Sequence, residues 1–542
     1  RAMSDIAFLD LLINRLRAAG LGQIYGVPGG GGSLDLMNAA RRAELEVVIT
    51  AREDAAVIMA GIAGVLAEGP GLAFATRGPG LASTLNGLAA AALDRLPAFL
   101  ISEYADTNER AYASHQLIDQ PALVKPLLRA GAELLTADPE AVDAWLRQIP
   151  RPLRRPAAMF PNASDLARRY TAPPAPAKAG STPALGEALR PLVDQLATSR
   201  RPVFLVGLEA ARPALAPTVA ALVERAGGAA LTTYMAAGTL AHDDPRWIGS
   251  FTGGALEQPA VRSANLIVMV GLDPVELIPR PWAYDLPVIE LAEETHAPHY
   301  LTPAARCIAP LGESLPALTA ALPSTDYSAW PLAEIAEQRA RMFAGLDVAG
   351  DGLTPSAAIA IAADAFAAKD AATPPRLTVD AGAHMFSACA QWPVRAPRDL
   401  LISNGLATMG FAIPAAIAAA LHDPARGALA VTGDGGALMC LGELKTIAQY
   451  DANVCVLMFN DGRLSLIDIK REARQMADLG LAWTPPDFAA VAAGFGFQTW
   501  VAEDPDGLNA ACREAAAGRG PRLIDARIDA AGYGDQIKAL RG

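Results

Sequence analysis

The sequence predicts an α/β protein made of three doubly wound parallel-sheet domains. Three observations carry this. Short continuous apolar runs alternate with stretches of helical spacing along all 542 residues, the pattern of strands buried on both faces and joined by crossover helices. Most of those runs end on glycine-rich turns, as strands do when they feed a helix. Two stretches break the rhythm. "TAPPAPAKAGSTPAL" (171–185) reads as a Pro/Ala-rich linker, and "RMFAGLDVAGDGLTP" (341–355) as a second, polar crossover. They divide the chain into units 1–170, 183–340 and 355–542, each of single-domain size.

The first unit has strand candidates "QIYGVPG", "LEVVIT", "GLAFAT" and "PAFLIS", after an amphipathic first helix in "SDIAFLDLLINRLRAAG". The second has "RPVFLVG", "AALTT", "ANLIVMVG" and "LPVIEL". The third has "RLTVDAG", "LLISNG", "GALAVTGDG", "VCVLMFN" and "PRLIDARI". No repeat is visible at the level of residues, but the same strand–glycine–helix grammar recurs.

Bulk composition excludes several classes. Apolar residues make up 52% and charged residues 19%, which supplies large cores. A formal net charge of −12 argues against a nucleic-acid partner, which needs a basic footprint; the local cluster "RPLRRP" (151–156) reads as a solvated linker. The longest apolar run, 409–421, is too short for a membrane span and contains Pro414. Five cysteines without a C-x-x-C motif read as buried free thiols. With no signal pattern at the N-terminus, they predict a cytoplasmic protein.

The chemistry concentrates in "VTGDGGALMCLGELKTIAQYDANVCVLMFNDG" (431–462). A strand ends on Gly433-Asp434-Gly435-Gly436, residues 436–459 supply one crossover helix and a return strand, and that strand ends on Asn460-Asp461-Gly462. In a doubly wound sheet, the carboxyl ends of strands line the binding crevice. A carboxylate, an amide oxygen and a turn carbonyl are hard ligands that suit Mg²⁺, which shares its shell with phosphate oxygens. Glycines let backbone N–H groups approach a phosphate at a helix start. The stretch therefore predicts a metal–diphosphate anchor.

This stretch resembles the signature of thiamin-diphosphate (ThDP) enzymes. The resemblance implies that Asp434, Asn460 and the carbonyl of Gly462 bind the metal. Phe459 stands where the family often has a first Asn, and Asp461 replaces a commonly small or polar residue. Other segments agree in the family's order. "YGVPGG" (25–30) contributes Pro28 and Gly29. "VVITAREDAAVIMAGIAG" places the family's cofactor-activating glutamate at Glu53, although an acid there also suits a helix N-terminus. Gly78-Pro79-Gly80, Gly87, Asp94 and Pro97 match the form that follows. "VDAGAHMF" (379–386) puts Gly382, Ala383 and His384 near the diphosphate, with His384 open to a phosphate contact or a structural role. "NGLATMGFAIPAAIAAAL" (404–421) places the residue that bends the cofactor at Met409.

The resemblance implies a pyrimidine-binding domain, a Rossmann-like middle domain and a diphosphate-binding domain. It implies ThDP and Mg²⁺ as cofactors, and a homodimer or homotetramer in which Glu53 of one subunit meets cofactor held by another. Within the family, order and length look like the acetolactate synthase, benzaldehyde lyase and 2-oxo-acid decarboxylase group. His115 and Gln116, in "SHQLIDQ" (114–120), occupy the place of the polar residue that faces the reacting ring. The paired histidines of pyruvate decarboxylases are absent, which favours a carboligase using a 2-oxo acid and a carbonyl acceptor. A nonligating decarboxylase, a C–C lyase and a catalytically silent homologue are the alternatives. Arg77 is open to a substrate-carboxylate role or an ion pair. "VGLDPVELIPRPW" and "VGLEAARP" lack an FAD-binding pattern, so no FAD is expected.

Overall fold

Three six-stranded sheets organise the residues described by the computed structural model, which are 5–128, 132–149, 155–170, 185–297, 299–323, 330–368 and 373–542. The expected linker at 171–184 and residues 151–154 of the basic cluster lie outside them. Every pairing within the three sheets is parallel. A short antiparallel pair, Ile6–Ala7 with Arg169–Tyr170, closes the first domain.

In the first sheet the spatial order is Glu46–Ile49, Gln23–Val27, Gly71–Ala75, Ala98–Ser102, Ala157–Met159, Glu133–Leu135. In the third it is Leu400–Ile402, Arg376–Val379, Ala428–Gly433, Val454–Asn460, Arg522–Arg527, Gln498–Ala502. In both, chain order reverses between the second and third strands of the row. That switch point opens a crevice beyond the strand ends. The middle sheet runs Trp247–Ser250, Ala229–Thr232, Pro202–Val206, Leu266–Val270, Val288–Ala292, Ala305–Ile308, the 3-2-1-4-5-6 order of dinucleotide-binding folds.

All thirteen apolar runs named from the sequence form strands. Among the described residues, five further strands of the three six-stranded sheets escaped that reading, as did the short pair Ile6–Ala7 and Arg169–Tyr170, and four of the five lie at sheet edges: Glu133–Leu135, Trp247–Ser250, Ala305–Ile308 and Gln498–Ala502. An edge strand is covered on fewer sides, so its sequence need not be continuously apolar. The polar crossover expected at 341–355 also needs correction. Its first residues end a helix, Leu332–Leu346, that buries Ile335, Met342 and Leu346.

Close packing of small residues joins the first and third domains. The helices Glu53–Ala67, Pro79–Leu93 and Ala412–His422 are rich in Ala and Gly and share one core. A Cβ on Gly87 would come within 2.4 Å of the Asp54 carbonyl oxygen, so only glycine permits that approach. Polar ties reinforce the seam. Asp94 is fully buried and accepts from Ser403 Oγ and Gly405 N, each at 2.6 Å. Burial pushes its pKa up to about 6. All five cysteines are buried and free. No helix among the described residues is long and apolar enough to cross a membrane.

Replacing Asp94 by Ala should leave the Ser403 and Gly405 donors buried without an acceptor. The expected cost is about 2–4 kcal/mol, read as a lowered midpoint in thermal unfolding; an unchanged midpoint would show that Asp94 does not hold the two domains together.

Candidate active site

The third sheet's switch point is built around one carboxylate. Asp380 follows the strand Arg376–Val379 and is fully buried. It accepts from Gly410 N at 3.1 Å, Phe411 N at 2.9 Å and Thr432 Oγ1 at 2.8 Å. Three separate segments are thereby fixed to one another: the turn 380–384, the turn at Met409 and the strand leading into Gly433-Asp434. Gly436 must lack a side chain, because a Cβ there would lie 2.3 Å from Asp380 Oδ2.

Asp434 and Asn460 stand side by side, since Gly433 and Phe459 are register partners on adjacent strands. Asp434 Oδ1 accepts from Gly435 N at 2.9 Å, and Oδ2 from Gly462 N at 3.0 Å. Burial, with the charge of Asp461 nearby, raises its pKa to about 7. Asn460 Nδ2 donates to Asp525 Oδ1 at 2.9 Å, which fixes the amide. That leaves Asn460 Oδ1 buried with no hydrogen-bond partner. Gly462 adopts a left-handed φ of +66° and its carbonyl accepts from Trp483 N at 2.8 Å, with a second lone pair to spare. Asp461 is held by Ser465 Oγ.

A cavity of about 280 Å³ lies over these strand ends. Ala383, His384, Met409, Gly433, Asp434, Gly435 and Gly436 all line it, together with Asp461, Arg463, Leu464, Tyr533 and Arg541. Met409 and Leu464 approach closely enough that a Cβ on Gly435 would touch both, at 3.3 and 3.0 Å. His384 is buried against Phe459, and its Nε2 has no partner.

These features fit a bound cation and a diphosphate. Among the described residues, no cluster of three His, Cys, Asp or Glu side chains is placed to hold a metal. A cation here would draw on one carboxylate, the unpartnered amide oxygen of Asn460 and a turn carbonyl, a donor set that leaves room for phosphate oxygens. The glycines keep the approach to the backbone clear at the start of the Asp434–Met439 helix.

The remaining predicted residues gather on the first domain. Pro28 and Gly29 follow Gln23–Val27, and Gly78 follows Gly71–Ala75, so all three flank that sheet's switch point. Gly78 (φ +69°) donates to Gln120 Oε1 at 3.0 Å and packs on the Gln116 carbonyl, which a Cβ would approach to 2.5 Å. Gln116 itself has φ +57°, and the side chains of His115 and Gln116 are exposed. Glu53 opens its helix and is half-buried, and desolvation raises its pKa. The turn before it is clamped by Glu443 Oε1, which accepts from Ala51 N at 3.0 Å and Arg52 N at 2.9 Å. Arg77 pairs with Glu109 at 2.7 Å, which supports the ion-pair reading of the two left open for it. Neither Glu53 nor His115 nor Gln116 lines the cavity over Asp434. Within one chain the two halves of the predicted site are apart.

Sequence reading passed over Asp380, Gln120 and Glu443; it marked the tail "AGYGDQIKALRG" (531–542) as able to close over the site, and Tyr533 and Arg541 of that tail line the cavity. Of the first three, Asp380 alone carried a signal, as an acid at a strand end two residues before Gly382.

This is the architecture of a cofactor-dependent α/β enzyme that takes a diphosphate group at a sheet switch point. Three family descriptions match the chain: the thiamine pyrophosphate enzyme N-terminal TPP binding domain over 7–123, the central domain over 189–290, and the C-terminal TPP binding domain over 380–526. An acetolactate synthase of Bacillus subtilis is 26% identical over 97% of this chain and 94% of its own. A probable 2-ketoarginine decarboxylase of Pseudomonas aeruginosa is 27% identical over 95% of this chain and 93% of its own. The thiamine diphosphate-dependent 4-hydroxybenzoylformate decarboxylase of Rhodococcus jostii shares the fold with a TM-score of 0.81, at 19% identity over 97% of this chain and 99% of that one. The chain belongs to the thiamin-diphosphate-dependent enzymes, in the group that includes acetolactate synthases, benzaldehyde lyases and 2-oxo-acid decarboxylases.

His384 gives a test of the site's dryness. Burial depresses its pKa to about 4, from an ordinary 6.5. Between those values the unfolded chain binds more protons than the folded one. Stability from this group is therefore full above pH 6.5 and falls as the pH drops toward 4. Ring NMR should show His384 uncharged from about pH 6 to pH 8; a midpoint near the ordinary value would mean that water reaches the ring.

Proposed function

We propose that this protein is a ThDP- and Mg²⁺-dependent carboligase of the acetolactate synthase type. It decarboxylates a pyruvate-like 2-oxo acid and joins the remaining fragment to a carbonyl acceptor. The observation that carries the reading is the buried, unpartnered Asn460 Oδ1 beside Asp434, at the switch point of a sheet in a chain similar to an acetolactate synthase along nearly its whole length.

Asp434, Asn460 Oδ1 and the Gly462 carbonyl would hold Mg²⁺. The backbone of Gly433, Gly435 and Gly436, with Ala383 and His384, would receive the diphosphate. Met409 would support the bend of the cofactor. When bound, thiamin diphosphate supplies a carbon nucleophile and an electron sink for the charge left by CO₂ loss. The chain's part is to position, to exclude water and to move protons. Glu53 has a carboxyl whose pKa is raised by desolvation, which suits proton exchange with a ring nitrogen near neutral pH. Pro28, Gly29 and Gly78 would flank that ring, and His115 or Gln116 would orient the donor. Because Glu53 does not line the Asp434 cavity of its own chain, the working site is completed by a second copy. A homodimer or homotetramer follows.

The runner-up is a nonligating decarboxylase, favoured by the similarity to decarboxylases. Cofactor-loaded protein given a panel of 2-oxo acids, with and without an aldehyde, separates the two. Ligated product and CO₂ support the proposal; free aldehyde as the sole product supports the runner-up. No CO₂ from any acid sinks both and leaves a lyase or a silent homologue. Glu53→Gln should lower kcat by roughly 10²–10⁴-fold while thiamin diphosphate still quenches tryptophan fluorescence. Turnover that survives the change would remove Glu53 from the mechanism.

A further inference from the structure

The turn that carries Met409 is held by all three domains. It runs from Ser403 to Met409, between the strand Leu400–Ile402 and the helix Ala412–His422. From the first domain, Asp94 accepts from Ser403 Oγ and Gly405 N, and a Cβ on Gly405 would lie 2.4 Å from the Leu93 carbonyl oxygen. From the third, Asp380 accepts from Gly410 N and Phe411 N just beyond the turn. From the middle domain, the Glu276 carbonyl accepts from Asn404 Nδ2 at 2.8 Å.

That carbonyl stands on a rigid support. The Glu276 side chain is buried and accepts from Leu208 N and Asp273 N, each at 3.0 Å, and from Thr233 Oγ1. Asp273 in turn accepts from Val275 N at 3.0 Å and pairs with Arg95 Nε at 2.8 Å. Arg95, with a left-handed φ of +56°, is the residue after Asp94, so the attachments form a closed ring through three domains. Within the turn, Ala407 has a left-handed φ of +54° and lines the cavity over Asp434. An alanine keeps that conformation only where its surroundings over-determine it. One carboxylate fixes a turn at a point; a second attachment, to another domain, fixes its tilt.

We propose that Asn404 is a positioning residue: its bond to the middle domain holds the strained turn in place, and so holds Met409 where it supports the bend of the cofactor. This rests on the reading of Met409 above. Asn404 does not line the cavity over Asp434; it acts through the turn. Without its bond, Ala407 relaxes toward an ordinary φ and carries Met409, two residues on, out of place. The middle domain thereby takes a part in the site, as the third support of the turn.

Two readouts on the ThDP- and Mg²⁺-loaded protein test this. Asn404→Ala, and Asn404→Asp, which keeps the shape but removes the donor, should each lower kcat roughly 10–100-fold with KM little changed. The second readout is NMR of protein labelled at the methionine methyls, assigned by Met409→Leu and Met159→Leu. The Met409 signal should shift in both Asn404 variants, while Met159, in a separate core of the first domain, stays in place. Adding Ala407→Gly to Asn404→Ala should return the Met409 signal toward its original position, because glycine adopts this φ without strain. An unmoved Met409 signal, a Met159 signal that moves with it, or no return on adding Ala407→Gly overturns the positioning. A moved signal with kcat unchanged overturns the proposal through the Met409 reading instead. The signals need no turnover, so the positioning is tested even where the carboligase reading itself fails.

Discussion

The buried carboxylate of Asp380 is the constraint on which the catalytic half of the molecule depends. A carboxylate removed from water is tolerated only when its lone pairs are answered. Here two backbone N–H groups and a threonine hydroxyl answer them. Those donors come from the turn at Met409 and from the strand that ends on Gly433. Satisfying one charge therefore fixes the spacing of everything that lines the crevice. It also explains Gly436, which leaves Asp380 its space.

A second constraint acts between domains. Helices with Ala and Gly at their contacts pack closely, and the seam between first and third domains is made from three of them. Close packing of this kind resists sliding because any shift opens voids or clashes. Buried polar groups then pin the seam at chosen points: Asp94 on Ser403 and Gly405, Glu443 on the turn before Glu53, and Tyr450, whose hydroxyl accepts from Ile49 N at 2.7 Å. The result is a rigid block that presents two crevices. One has metal- and phosphate-ready groups, and the other has Glu53 nearby. Their separation within the chain supports the proposal of a site shared between copies.

Much of this was legible in the sequence. Strands buried on both faces must be continuously apolar, so the central strands announced themselves, while edge strands such as Gln498–Ala502, with exposed and half-buried positions, did not. That Asp434 and Asn460 come to lie side by side could be read because they sit at strand ends a crossover apart. The tail 531–542 could be named as a segment over the site, but not that Arg541 would be the side chain reaching the cavity, because nothing local marks which face of an amphipathic helix meets it. Gln120 was missed for the same reason: its partners, Gly78 and the Glu103 carbonyl, are brought to it by the fold.

The sequence by itself determined the three-domain α/β plan, the placing of Asp434 and Asn460 at neighbouring strand ends and the glycines on which the crevice depends. Each of these follows from short-range rules: periodicity, turn chemistry and donor type. Only the tertiary structure decided which of those residues share a cavity, that Arg77 is taken up by Glu109, and that Asn460 Oδ1 and Arg541 Nε are buried without partners. Those outcomes depend on distances between segments far apart in the chain, set by sheet order and by packing at the domain seam.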